Sequence, residues 1–406
     1  MKTIATYGKT FLLLIALYFA FGVASCLLPD KAIKRHIAES APALADEGNY
    51  PKAIINAEQC QMDNFTDALI MNQIYSIDRT KPVSSAMRMV RMSEKGGDWN
   101  QTALLLRTVN GETLEGQHYA RYWHGSSFLF RPFFMIMDFL TLRHILFIIS
   151  SLLIVLLLCA YYPQAGLMKT MALTLGFVTT YGFVTQFSMQ FFPVMALTLI
   201  SSLIVIKHGE SINLGLLFFV TGSLTCYFDL LTTPLLTLGI PLAVMLSLDD
   251  TGNIKGKLLG TSRYALLWGL GFALTFVTKW ALATLVLGDN IFADAIETGL
   301  YRMEADEFTR FDAIGKNFGM LNLGIIGIAV GAFVVFNLLR HRRFDYRKSV
   351  PFLLVGLMPY VWYLLLANHS YCHWWFTYRL QAIPIVSLFL MLSEDAKIGK
   401  SPDFTP

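Results

Sequence analysis

Apolar runs of bilayer-spanning length constrain this chain more than any other feature. They fall at roughly 10–28, 144–162, 168–187, 191–207, 212–229, 233–248, 262–287, 318–339, 350–367 and 380–393. A helix needs about 20 apolar residues to cross the ~30 Å hydrocarbon core of a membrane. Lipid offers no partner for backbone N–H and C=O groups, so such runs must satisfy them internally, as helices do. Composition agrees: 55% of the residues are hydrophobic and 15% charged, where an ordinary soluble domain carries about a quarter charged residues. A soluble enzyme, a disordered chain, a collagen-like chain and a small disulfide scaffold are disfavoured together. The expectation is an all-α integral membrane protein, one membrane domain over 1–406 with about ten transmembrane helices. The short last run and the tight pair around Asp229 leave that count open by one.

Lys2 and Lys9 precede a first run that ends at Ala24-Ser25-Cys26, a signal-peptide-like pattern. Its length and the nine further runs over 144–393 favour a retained anchor. Lysine and arginine near span ends set direction. With the N-terminus inside, short cytoplasmic links hold Lys169, Lys207, Lys255, Lys257, Arg263 and the cluster Arg340, Arg342, Arg343, Arg347, Lys348. Short outer links hold only Arg302, Arg310, Lys316 and Arg379. Both termini are therefore expected in the cytoplasm, with 394–406 as a tail, in a bacterial inner or plasma membrane. No Walker-type loop or strand-linked GxGxxG supports nucleotide chemistry, and nucleic acid is not an expected partner. The cysteines Cys26, Cys60, Cys159, Cys226 and Cys372 show no metal spacing.

Polar elaboration gathers outside, in a large, partly helical first loop (30–141), in 288–317 and in the turn 368–379. In the first loop, Asp63 and Asp67 stand four apart, on one face of an expected helix. Such a pair suits a general base raised by its neighbour, or a divalent-cation site. It equally suits a plain helix N-cap with a second acid in the first turn. At the loop's end, 119–140 interleaves aromatics with Arg121, His124 and Arg131, and Gly125 and Pro132 divide it into two short pieces. That pattern predicts interfacial helices whose cations meet lipid phosphate, or an aromatic belt that merely anchors the loop.

The turn 368–379 concentrates His369, His373, Trp374, Trp375 and Arg379, aromatic surface for a sugar or headgroup with cations for a phosphate. Asp229 and Lys279 lie near the outer ends of apolar runs, where ionisable groups point to function. In 288–317, Glu304, Asp306, Glu307 and Arg310 read as a solvated face, and only Arg302 points to substrate.

This layout resembles the GT-C superfamily of multispan, polyprenyl-phosphate-dependent glycosyltransferases. The likeness rests on topology: a large outer loop after span one, acids within it (Asp63, Asp67), and juxtamembrane helices at its end (119–140). The resemblance implies transfer of a sugar from a polyprenyl-phosphate donor to an envelope glycan, lipid or protein, alongside other envelope-biosynthesis proteins. A loop aspartate would serve as base, with Arg121, Arg131, Lys279 and Arg379 neutralising phosphate. The competing expectations are a polytopic transporter or lipid-linked-substrate flippase, and a non-catalytic envelope scaffold.

Overall fold

Asn or Asp opens six of the described helices, because such a side chain accepts an N–H group that the first turn leaves unpaired. Asp63 accepts from Thr66, Asn100 from Ala103, Asp138 from Thr141, Asn213 from Leu216, Asn253 from Gly256 and Asn290 from Ala293. A computed structural model describes residues 2–55, 57–94, 100–249, 251, 253–339 and 346–393. Arg340, Arg342, Arg343, the side chain of Arg347 and the tail 394–406 lie outside the described residues.

The elements run α1 (Lys2–Leu27), α2 (Asp30–Glu47), α3 (Asn64–Tyr75), α4 (Pro82–Arg88), β1 (Val90–Ser93), α5 (Gln101–Val109) and β2 (Glu115–His118). Then come α6 (Gly125–Phe130), α7 (Phe139–Thr179), α8 (Phe191–His208), α9 (Leu214–Phe228), α10 (Leu236–Leu248) and α11 (Ile254–Leu287). The last are α12 (Ile291–Met303), α13 (Arg310–Gly319), α14 (Leu323–Leu339), α15 (Tyr346–Leu365), α16 (Ala367–Cys372), α17 (Trp374–Thr377) and α18 (Ala382–Ser393). The protein is overwhelmingly helical, as expected. The one strand pair among the described residues is a short antiparallel ribbon with Val90 opposite His118, too small to alter the all-α character.

Six of the described helical segments are long and apolar enough to cross a bilayer, or seven if α13 and α14, bent by 74°, form one span. The count differs from the ten expected for two physical reasons. Helices α9 and α10 have 15 and 13 residues, so they reach only about 22 and 20 Å at 1.5 Å per residue. The runs 144–162 and 168–187 meet in α7, whose Gly166 has the non-helical angles φ 75°, ψ 176°.

The chain turns back at that glycine. Across an unbroken helix, Ser151 and Thr179 would stand about 42 Å apart, and the seven residues on to Gln186 could recover only about 25 Å. Yet Ser151 Oγ donates to Gln186 Oε1 at 2.9 Å. Tyr161 and Lys169, on either side of the break, both bond Ser247. A backbone at positive φ is tolerated there because glycine has no Cβ.

Among the described residues four apolar clusters hold the molecule, the smallest being Phe191, Trp375 and Phe376 with Tyr50 and Trp374. The largest joins α7, α8, α10, α15 and α18; a second packs α2, α3 and α5 on residues 130–146; a third ties α1, α4 and α6 to α9 and α11. Helices α9 and α11 meet at backbone distance. A Cβ added at Gly222 would lie 2.0 Å from the Trp268 carbonyl oxygen, and one at Gly271 2.1 Å from that of Phe219. Small residues permit such close approach between apolar helices. The aromatic segment 119–140 is short helical pieces divided near Gly125 and Pro132, but Tyr122, Trp123, Phe128, Phe130 and Phe134 are buried in the second and third clusters and the wall beside them. They are core rather than a belt laid on the headgroups.

Candidate functional site

A cavity of about 750 Å³ opens where the first loop meets α12, α16 and α17. Tyr50 forms part of its wall, stacked on Phe65 (centroids 5.8 Å apart) and tilted against Trp375 (4.3 Å). The aromatic faces offer apolar platforms. Cations supply the other side: Arg91 on strand β1 of the ribbon, Arg121 after the ribbon, and Arg302 on α12. Arg121 Nη1 donates to both carboxylate oxygens of Asp294 at 3.2 Å, and its guanidinium lies 4.7 Å from the Tyr119 ring. Arg302 donates to the Tyr122 hydroxyl.

His369 and His373, one helical turn apart, close the wall with ring centroids 4.9 Å apart. His369 Nε2 donates to the Leu231 carbonyl at 2.8 Å, which leaves Nδ1 as an acceptor. Burial holds His369 well below the usual histidine range, and burial with Arg302 nearby pushes His373 down to about 4. Both rings are therefore neutral at pH 7.

A second cavity of about 360 Å³ is almost wholly apolar, formed by Phe272, Phe276, Trp280, Trp362, Leu365 and Leu366 among others. It shares Arg121, Thr298 and Arg302 with the larger cavity. Two guanidinium groups thus stand where polar space meets apolar space.

Behind the wall of the larger cavity lies a buried polar layer. Asp67 accepts from Ser188 Oγ at 3.0 Å and from the Gln190 N–H at 3.3 Å; Gln190 Nε2 then donates to Asp229 at 3.3 Å. Asp63 caps α3 through Thr66 N–H at 3.0 Å, as the N-cap reading expected. Arg379 enters the same layer, donating to the Gln61 carbonyl at 2.9 Å and exerting a favourable field on Asp63. Burial, with Asp63 alongside, pushes Asp67 up to about 8; burial raises Asp63 too. Each of these two aspartates is 1% exposed. Their α3 neighbours Thr66 and Leu69 line the cavity in their place.

The sequence-derived candidates therefore separate into groups. Arg121, His369 and His373 line the larger cavity, while Asp63, Asp67, Asp229 and Arg379 converge in the buried polar layer behind it. Three others lie elsewhere. Arg131 is fully buried and holds the carbonyls of Ser25, Leu28 and Ile74 together with Asp30. Lys279 points its ammonium at the Met87 carbonyl (2.9 Å) and over Trp123. His124 donates to the Tyr119 carbonyl at 2.7 Å from a left-handed backbone position, and burial pushes it down to about 3. These three are tied to backbone oxygens rather than turned toward headgroups.

Among the described residues, no three His, Cys, Asp or Glu side chains are grouped as metal ligands. One oxygen of each loop aspartate, the pair expected to suit a divalent cation, is engaged in hydrogen bonds. Sequence reasoning missed Tyr50, Arg91, Asp294 and Glu297. The signal for the last two was the amphipathic period of 291–303, which presents Asp294, Glu297, Thr298 and Tyr301 on adjoining turns.

Comparison with protein-family models, with curated proteins and with solved structures finds no match for this chain.

Proposed function

We propose that the protein is a membrane glycosyltransferase that takes a sugar from a polyprenyl-phosphate-linked donor at the outer leaflet. One observation carries this reading: a polar, aromatic-walled cavity and an apolar crevice meet at Arg121 and Arg302. A lipid-linked sugar has that same three-part chemistry. Its isoprenoid tail suits Phe272, Phe276 and Trp280, its phosphate suits the paired guanidiniums, and its sugar suits Tyr50 and Trp375. In this reading the chain crosses the membrane ten times, the two halves of α7 counting separately and α9 and α10 included, with both termini cytoplasmic. The outer loop then faces acceptors of the cell envelope, the GT-C-like arrangement.

Transfer needs a base to take the acceptor hydroxyl proton as its oxygen bonds to the anomeric carbon and the sugar–phosphate bond breaks. The phosphate leaves with that electron pair, stabilised by Arg121 and Arg302, and a single displacement inverts the anomeric centre. On the cavity wall, His373 and Glu297 have side chains with no hydrogen-bond partner among the described residues. Asp63 and Asp67 become the base only if the Thr66–Leu69 face moves aside.

The test uses the purified chain in nanodiscs with undecaprenyl phosphate and, as control, undecaprenol. Selective binding of the phosphate form, weakened about tenfold or more by Arg302→Gln, is expected. Equal binding of both lipids by the wild type would sink the reading. Reconstitution with a sugar-loaded donor then separates covalent transfer from the competing flippase activity, which moves donor without forming product. Asp63→Asn, Asp67→Asn, Glu297→Gln and His373→Gln identify the base by loss of turnover with donor binding retained.

A further inference from the structure

A third cavity, about 240 Å³, shares no lining residue with the two above. It lies between the C-terminal end of α3, the turn that follows, and α4, and its walls include Gln73, Ser84, Lys81 and Arg88. Gln73 is 1% exposed, and its Oε1 accepts from Ser127 Oγ at 2.9 Å, which fixes the amide. Its Nε2 has no partner, and neither does the buried Nε of Arg88. The Arg88 side chain forms no hydrogen bond or ion pair with any described residue. Lys81 makes no direct salt bridge among the described residues, and Asp78, which also lines the cavity, spends one oxygen on Thr80. A buried donor left unpaired is costly. The lining thus gathers the Gln73 amide, the Arg88 guanidinium, the Lys81 ammonium and the Ser84 hydroxyl against a single carboxylate, and its balance is positive. Its complement is a group rich in acceptors and negatively charged.

The cavity stands at the level where α1 leaves its apolar run. Arg79, in the turn beside it, donates to the carbonyl of Leu27, the last residue of α1, at 3.1 Å. The carbonyl of Met87, on α4, receives Lys279, which sits eight residues before the end of α11, about 12 Å along the helix axis. In the orientation proposed above, that is headgroup depth for the outer leaflet.

We propose that this cavity is a phosphate-ester site, taking the phosphodiester of an anionic lipid headgroup or the phosphate of a free polyol phosphate. Arg88 is the principal ligand, with Lys81 and the Gln73 amide beside it.

The detergent-purified full chain is titrated with dioleoylphosphatidylglycerol, dioleoylphosphatidylcholine and glycerol 1-phosphate, and bound species are counted by native mass spectrometry. One phosphatidylglycerol is expected to bind in preference to phosphatidylcholine. Arg88→Gln with Lys81→Gln should weaken it about tenfold or more, while Arg35→Gln, an exposed control, changes nothing. Ser84→Leu fills the space without touching a charge and should displace the lipid equally, so a misfolded charge variant does not end the test. If glycerol 1-phosphate binds alone and competes, with the same dependence on Arg88, the source is a soluble phosphate. Binding of both lipids that is indifferent to Arg88, Lys81 and Ser84 overturns the proposal.

Discussion

Replacing Arg131 with methionine separates a structural clamp from a lipid-phosphate ligand. Its guanidinium has no exposure and bonds Ile74 O at 2.6 Å, Ser25 O at 2.9 Å, Leu28 O at 3.3 Å and the carboxylate of Asp30. Methionine keeps much of the apolar stem and removes every donor. Three carbonyls then lose a charged partner, each such bond contributing about 1.5–3 kcal/mol. Asp30 is 23% exposed, so water takes part of its loss. Breaking a buried charged network by removing one partner costs about 3–5 kcal/mol, and that is the figure expected here.

The damage should be local, because the clamp joins the C-terminal end of α1 to α2 and α3. Amide hydrogen exchange in detergent reports such sub-global opening. Exchange of the α2 and α3 amides should accelerate by about two to four powers of ten, at 1.4 kcal/mol per tenfold. Peptides from α8 and α10 should exchange as before. Acceleration below tenfold in α2 and α3 would refute the clamp. So would unchanged exchange with a selective loss of donor binding, which would return Arg131 to the ligand role the sequence suggested.

Other outcomes are expected elsewhere. Asp67 holds its proton up to about pH 8 in the folded loop against an ordinary value of 3.8, so the folded state binds more protons between those limits. Stability should fall as pH rises from about 4 to about 8 and level off above. Asp67→Asn should flatten that slope in thermal unfolding across the range, and an unchanged slope would clear Asp67 of the effect. Cys372 is exposed at the cavity wall while Cys60 is buried. A membrane-impermeant maleimide should label Cys372 in intact cells, and labelling only after permeabilisation would reverse the proposed orientation. Gly222→Ala drives a methyl into the Trp268 carbonyl and should destabilise by about 1–3 kcal/mol, read as a lowered unfolding temperature in detergent; no change would mean that α9 and α11 separate freely.

Much of the architecture could be read from short-range chemistry. The Asx residues at 63, 100, 138, 213, 253 and 290 announce helix starts, because the acceptor and the N–H it serves are three residues apart. The apolar runs announce helices for the same local reason. Length was less legible, since α9 and α10 stop at Asp229 and Asp249 short of a full crossing.

The site was legible as a region, less so as a set of side chains. Arg121, Arg131 and Lys279 look alike in sequence, each a cation near aromatics. Their roles diverge through partners 173, 57 and 192 residues away: Asp294, the Ile74 carbonyl and the Met87 carbonyl. A backbone oxygen carries no sequence signature, so a clamp and a ligand-binding cation cannot be told apart until the fold is known. Asp63 and Asp67 were legible as a pair, but the Ser188–Gln190 segment that closes over Asp67 comes from more than a hundred residues later.

The glycine contact between α9 and α11 sets which parts of the molecule can move. Helix α11 has 34 residues, about 51 Å, and so outreaches a bilayer core by roughly 20 Å. Its C-terminal third carries the segments that precede α7: the Thr275 carbonyl receives Trp123, Lys279 grips Met87, and Trp280 donates to the Arg121 carbonyl at 3.0 Å. With bare backbone pressed on backbone at Gly222 and Gly271, sliding by one turn would force larger side chains into that gap. Helix α11 therefore acts as a fixed mast. The parts with slack are α12, buried only at Ile291 and Ala295, and α14, buried only at Phe333. Entry of the proposed lipid donor into the crevice would then call on α12, which lines it, to swing against a mast that stays still.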